Sequence, residues 1–367
     1  MAAGAPTSDD AGPSTIARLV PLNFADLAGW VADDHAAALA AFRRGAAVLA
    51  EHPPKTRALG IDAAALALLL KRSLEIDDRD ARAFFEECFV PSVVEPVQGS
   101  AFFTGYYEPE VAGSLAPSSE FRFPLYRPPA DLVEITPGAE PGMPADFRFA
   151  RMIGSGLREH YDRAAIAAGA LAGENLELVW LKDPVDAFFI HVQGAARIVL
   201  PDGKTLRVTY AAKSGHPYTA IGRLLIERGA LTRESATMRG IRAWLAAHPR
   251  EASSVMNANR SFIYFREADV ADPALGPIAA AKVPLTAGRS LAVDRLLHAF
   301  HTPVWVETTL PDGGAFHHLA IAQDTGSAIV GPARGDIFFG SGEAAGAIAG
   351  EMRAGGNFIL LAPRAAP

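Results

Sequence analysis

Two aspartates near the C-terminus, Asp324 and Asp336, are the residues of this sequence best suited to chemistry. Each abuts an apolar, strand-like run, HLAIAQ before the first and IFF after the second. Glycines flank both, at Gly326, Gly331, Gly335 and Gly340. A carboxyl group pressed against apolar strands loses water, which raises its pKa towards neutrality. A glycosidic general acid needs that shift, and the glycines would let a bulky polymer approach the backbone. The plainer alternative makes both residues turn or capping aspartates.

The same segment imitates two other chemistries. Asp324-Thr325-Gly326-Ser327 after an apolar strand matches half of a pepsin-like site. That chemistry takes two carboxylates sharing one proton, and no second Asp-Thr/Ser-Gly lies upstream. Gly340-Ser341-Gly342 followed by Gly346 looks like a dinucleotide loop. The spacing is wrong, however, and too little chain follows for the rest of a βαβ unit. His298, His301, His317 and His318 have no acidic partner at ligand spacing and read as packing or solvated side chains. No metal and no cofactor is expected.

The 367 residues are 50% hydrophobic and 20% charged, enough for one large or two medium domains. A net charge of −7 without a basic stripe argues against nucleic-acid binding, which rests on Lys and Arg neutralising phosphates. The single cysteine, Cys88, excludes an intrachain disulfide and a cysteine-cluster zinc site, and reads as a buried apolar residue. No run reaches the roughly 18 apolar residues of a membrane span. The start, MAAGAPTSDDAGPST, lacks the basic and apolar regions of a signal peptide and reads as a flexible tail or a mature N-terminus.

The elements that must position the aspartates change along the chain. Residues 22–91 read as helical: HAAALAAFRRGAAVLAEH up to Pro53–Pro54, IDAAALALLLKRSL, and RDARAFFEECFV with Asp78 as N-cap. From 92 the composition turns to strands and turns, in GSAFFTGYYEPEV, FRFPLYRPP and the stretch from ENLELVW to YAAKSG. Within it, IVLPDGKTLRVTY is a hairpin around Pro201-Asp202-Gly203. Helices follow in TAIGRLLIERG, closed by Gly229, and SATMRGIRAWLAAH. Short strands return from NRSFIYFRE on, in KVPLT, PVWVETTL, HHLAIAQDT, DIFFG and NFILLAP, with one helix, GEAAGAIAGEMRAG, among them. Many short strands with few helices favour a barrel or sandwich over a parallel βαβ sheet.

The segment IAQDTGSAIVGPARGDIFFGSGEAAGAIAGEMRAGG resembles the C-terminal 3D domain of the membrane-bound lytic murein transglycosylase A family, a domain named for its aspartates. TGYYEP at 104–109, DPVDAFFIHVQGAARI at 183–198, YAAKSGHPYTAIGRLLIERG at 210–229, NRSFIYFRE at 259–267 and VPLTAGRSLAVDR at 283–295 follow the family in order. Ala195 and Ala196 stand where the family usually has Ser-Gly, Ser214 where it has Asn, Ser327 where it has a second Gly, and His301 where a glycine is typical.

The resemblance implies a mainly β protein with flanking helices. A discontinuous double-psi β-barrel domain (1–106 and 258–367) would carry N-terminal helices and the catalytic aspartate. A second β-barrel domain (107–257) would be inserted into it, with the substrate groove between. It implies cleavage of the MurNAc-β-1,4-GlcNAc bond of peptidoglycan with 1,6-anhydromuramic products. Asp336 matches the acid/base and Asp324 its support. Thr104, Gly105, Tyr106 and Glu108 are expected to line the groove, with Gln193 and Gly194 opposite. The expected partners are peptidoglycan glycan strands, with peripheral association with the outer membrane or other wall-remodelling proteins, for a monomer that is periplasmic or outer-membrane-associated and binds no nucleic acid. Two alternatives stay open: a hydrolase with Asp336 as acid and Asp324 as base, and a non-catalytic peptidoglycan-binding scaffold.

Overall fold

The structure, a computed structural model, describes residues 16–269 and 272–364. The tail expected over the first fifteen positions lies outside the described residues. Strands β1 (Ala17–Pro21) and β2 (Phe89–Pro96) bracket helices α1 (His35–Arg43), α2 (Ala63–Arg72) and α3 (Ala81–Cys88). Then come β3 (Phe102–Glu108), β4 (Glu110–Ser114), β5 (Phe123–Tyr126), β6 (Leu132–Glu134), β7 (Phe149–Ile153), β8 (Gly156–Arg158) and α4 (Arg163–Ala167). After β9 (Glu177–Leu181) follow α5 (Pro184–Gln193), β10 (Ala195–Val199), β11 (Thr205–Lys213), α6 (Ile221–Glu227), α7 (Met238–Ala247), α8 (Pro249–Asn257) and β12 (Ile263–Glu267). The chain ends with β13 (Ser290–Ala292), β14 (Pro303–Thr309), β15 (Ala315–Asp324), β16 (Arg334–Ser341), α9 (Gly342–Glu351) and β17 (Arg353–Pro363).

The fold is mainly β. In the first sheet β17, β14, β15, β13, β16 and β3 pair in that order, and β17 pairs again with β3, so the strands close on themselves. Two pairs in this ring, β13–β15 and β16–β3, are parallel. β17 makes closure possible by changing partners along its length, from β3 at Arg353–Gly355 to β14 and β2 further on. This is the double-psi barrel that the resemblance implies. Its interior is fully buried, with Phe103, Trp305, Ile321, Ile337, Phe358 and Leu360 in one cluster. Leu39 and Phe42 of α1, Leu66 and Leu70 of α2 and Phe85 of α3 join that cluster from outside the ring. Each such side chain contributes roughly 1.5–3 kcal/mol by leaving water, so the helices and the barrel share one core.

The second sheet, in the order β12-β11-β10-β4-β9-β5, has its own core of Leu125, Val179, Ile198, Val208 and Phe265. A three-stranded meander, β6-β7-β8, lies beside it in sequence. The hairpin at Pro201-Asp202-Gly203 forms in the expected register, with Val199 opposite Thr205.

Four local expectations are corrected. β12 pairs with β11, so the chain leaves the second sheet after Glu267 and not at 258. DPVDAFFIHVQ is a helix, not a strand: the Asp183 carboxylate accepts from the Val185 N–H (2.7 Å), Pro184 opens the first turn, and Gly194 closes it at φ +82°. Its aromatic and β-branched content imitates a strand, but its two ends carry cap chemistry. Asp78 is not the cap of α3; it pairs with Arg43 at 2.6 Å, and Asp80 occupies the cap position. KVPLT forms only an isolated bridge, Ile278 to Pro284.

Candidate active site

Asp324 ends β15 and Asp336 lies in β16, with β13 between them. Ala292 of β13 is in register with both, parallel to Asp324 and antiparallel to Asp336. Residues directly opposite one another on neighbouring strands project from the same face. The two carboxyl groups therefore share a face, separated by one strand that presents only a methyl group. A β-bulge at Gln323 of β15, between the pairs Leu291–Ala322 and Ala292–Asp324, gives this register; a slip of one residue would turn a carboxylate to the other face.

The neighbouring barrel strand β3 also contributes to this site. Thr104 pairs with Asp336 and its hydroxyl hydrogen-bonds Asp336 Oδ1. Arg334, two residues before Asp336 and so on the same face, donates to the Thr104 hydroxyl oxygen at 2.6 Å. The Tyr106 hydroxyl donates to Asp324 Oδ2 at 3.0 Å, while its ring packs on Phe338 at 5.3 Å. The Ala280 N–H donates to Asp324 Oδ1 at 3.2 Å. Both oxygens of Asp324 are thus occupied. Asp336 Oδ2 accepts no hydrogen bond from the described residues.

Both carboxyls keep some exposure but sit among dense apolar packing from Leu285, Ala292, Ile329 and Phe338. Burial pushes Asp324 up to about 6, against the opposing pull of the Thr325 and Ala280 amides and the Tyr106 hydroxyl. Burial also raises Asp336, held back by the Arg334 guanidinium and Thr104. The Tyr106 phenol is raised well above its ordinary range by burial and by the two carboxylates, so it stays a donor.

The loop between the aspartates is tied down from the barrel side. Asp294 accepts from the Gly331 N–H (2.9 Å), and His298 Nε2 donates to the Pro332 carbonyl (2.9 Å). Burial lowers His298 to about 4, so it is a neutral structural donor. His301, also buried, holds φ +69°. A left-handed conformation is the physical reason a glycine suits that position. His318 pairs with Asp33 at 2.7 Å. Among the described residues no group of His, Cys, Asp and Glu is placed to hold a metal.

Thr104, Gly105 and Gln193 line one cavity of about 380 Å³. Its other walls include Phe188, Phe189, Tyr218, Met238 and Arg353. Gln193 also accepts from the Tyr107 N–H at 3.1 Å, which links α5 to β3. Tyr106 lies behind this wall, 9% exposed. Gly194 serves as the α5 cap. Glu108 departs from its expected place: it is 1% exposed, and its Oε2 accepts from Arg197 (2.8 Å), Arg207 (3.2 Å) and the Ser341 hydroxyl (2.6 Å). It joins β10 and β11 of the second sheet to β16 of the barrel. Gly105 is required by packing, since a Cβ there would meet the Phe339 ring at 2.6 Å and the Ala349 Cα at 2.9 Å.

Arg334 and Tyr218 are the residues that sequence reasoning missed. Arg334 stood two places before Asp336, a spacing that shares a face only once the segment is known to be a strand. Tyr218 lies close enough to Asp336 to feel its charge, but no local pattern marks it.

The comparisons with known proteins agree with this architecture. A family model described as the MltA specific insert domain matches residues 102–266, and one described as the 3D domain matches residues 289–362. The membrane-bound lytic murein transglycosylase A of Escherichia coli (strain K12) is 34% identical over 260 residues, 69% of this chain and 63% of that protein. Its Vibrio cholerae counterpart is 31% identical over 264 residues, 70% of this chain and 64% of that protein. The match thus spans a little under two thirds of these curated relatives. Among solved structures, a membrane-bound lytic murein transglycosylase from Agrobacterium tumefaciens has a TM-score of 0.87 at 45% identity, covering 94% of this chain and 98% of that one. An MltA from Neisseria gonorrhoeae has a TM-score of 0.79 at 31% identity, covering 96% and 94%. Escherichia coli MltA with bound chitohexaose has a TM-score of 0.69 at 26% identity, covering 97% and 96%.

Proposed function

The chain belongs to the membrane-bound lytic murein transglycosylase A family, and on that premise we propose that it cleaves the MurNAc-β-1,4-GlcNAc bond of peptidoglycan to give 1,6-anhydromuramic ends. Asp336 acts first as acid. Its proton passes to the leaving glycosidic oxygen while oxocarbenium character builds at C1. The resulting carboxylate takes the proton of the sugar's own C6 hydroxyl, whose oxygen attacks C1 and closes the anhydro ring. An intramolecular nucleophile makes a protein nucleophile unnecessary.

The observation that carries this reading is the unequal occupancy of the two carboxyls. Asp324 has both oxygens engaged, whereas Asp336 keeps Oδ2 free beside the cavity that Thr104 lines. Arg334 and Thr104 hold the carboxylate form once the proton has gone. Asp324 acts as the support that fixes Tyr106. The barrel supplies the acid, and the inserted domain supplies the far wall of the glycan groove through Gln193. The bound chitohexaose of the Escherichia coli relative supports a glycan strand as the occupant. The proposed setting is periplasmic or outer-membrane-associated peptidoglycan, in keeping with relatives named as membrane-bound. No helix among the described residues is long and apolar enough to cross a membrane.

One observation favours a hydrolase instead: a pKa near 6 suits Asp324 to general-base activation of water. Mass spectrometry of digested peptidoglycan separates the two. Muropeptides one water lighter than hydrolysis products support the lyase, and fully hydrated ends refute it. Asp336→Asn is expected to lower turnover by at least about a hundredfold; wild-type turnover in that variant would remove Asp336 from the reaction.

A further inference from the structure

Behind Asp324 the barrel carries a second, chemically different cavity. It is about 210 Å³ in volume and is lined by Lys55, Arg57, Lys282 and Arg295, with Glu51 the sole acidic residue on its wall. None of these four cations is in an ion pair among the described residues, whereas arginines elsewhere, such as Arg18, Arg43, Arg197, Arg242 and Arg289, are. The chain as a whole carries −7, so a wall with four cations and one carboxylate is a local exception. Arg148 and Lys213 lie near Arg295 and add to its positive field, with Glu134 and Asp146 as the opposing charges nearby. The cluster therefore draws on both parts of the molecule.

Its position relative to the proposed chemistry is defined by one segment. The Ala280 N–H holds Asp324 Oδ1, and the Ala281 N–H donates to the Gln323 carbonyl. The same two residues, with Lys282, form the wall of the basic cavity. Lys282 holds φ +65°, a conformation costly for a side chain with a Cβ. The cations are thus one backbone segment away from the reacting carboxyls. A ligand held there is set apart from Asp324 by that segment, so it would be carried on an arm of the substrate and not on the reacting ring.

We infer that this cavity binds the carboxylates of the peptide stems carried by the glycan strand, so that the protein prefers peptide-bearing over bare peptidoglycan. The inference rests on the proposed substrate class and deepens it. Lys and Arg at an open site attract such carboxylates through water, and salt weakens the attraction over a Debye length of about 10 Å at 0.1 M.

The test is binding, so that it stays independent of turnover. In an Asp336→Asn background, the protein and its Arg57→Gln/Lys282→Gln/Arg295→Gln variant are applied to two immobilised polymers. One is peptidoglycan with intact stems; the other is the same strands stripped by an amidase, which leaves only the lactyl carboxylates. The variant is expected to bind stem-bearing strands about tenfold more weakly, the sum of three exposed charge contacts, and to bind stripped strands unchanged. The difference should shrink with added salt. Equal binding to stem-bearing strands, or an equal loss on both polymers, overturns the inference. If the wild-type chain yields no anhydro ends while the stem-dependent difference persists, the lyase reading fails and this one stands.

Discussion

Asp324 and Asp336 face one another across Ala292, in register with it from opposite sides. That arrangement puts two carboxyls in one poorly solvated place with one methyl group between them. It stabilises neither charge, and the neighbourhood divides the burden: Tyr106 and two backbone amides for Asp324, Arg334 and Thr104 for Asp336.

The first consequence concerns stability. The Asp324 pKa is raised by burial from 3.8 to about 6. The folded protein therefore binds a proton more readily than the unfolded chain does, and the stability this contributes is complete below pH about 4 and lost as pH rises through about 6. Asp324→Asn, neutral at every pH, is expected to be more stable than wild type at pH 7.5 by about 1–3 kcal/mol and nearly equal to it at pH 4. Urea denaturation at the two pH values measures this, and a variant equally destabilised at both contradicts it.

A second prediction concerns Thr104. Thr104→Val keeps the volume and removes both the bond to Asp336 and the acceptor for Arg334. Loss of a donor to the carboxylate raises its pKa. The pH profile of anhydro-end release should move to higher pH, with kcat reduced by about tenfold, roughly one charge-assisted hydrogen bond. An unmoved profile would mean that Thr104 serves packing alone.

Glu108 leads to a third. Removing one partner of a buried ionic cluster leaves the others without compensation, at a cost of about 3–5 kcal/mol. Arg207 in this cluster has a side chain 10% exposed, so Glu108→Ala should approach that range in chemical denaturation. Glu108→Gln, which still accepts from Arg197 and Ser341, should lose less. Equal losses would point to volume and not charge.

How much of this was readable in the sequence differs residue by residue. The hairpin at Pro201-Asp202-Gly203 was readable because turn chemistry is local. The helix at Pro184–Gln193 was hidden by residues that suit either element, and only Asp183 and Gly194 at its ends betrayed it. Glu108 looked like a groove residue because its motif neighbours Thr104 and Gly105 are; the approach of Arg197, Arg207 and the Ser341 hydroxyl buried it instead.

By itself the sequence determined which carboxyls were available, where most of the strands would fall, and through its ordered motifs the family. Those properties reside in residue type and short spacing. The tertiary structure alone decided that Ala292 stands between the aspartates, that Thr104 and Tyr106 arrive from a strand more than 200 positions earlier, and that one Asp336 oxygen accepts no hydrogen bond from the described residues. Register between distant strands is set by closure of the whole barrel, through the bulge at Gln323 of β15 and the change of partners along β17. No window of sequence shorter than the barrel contains that information.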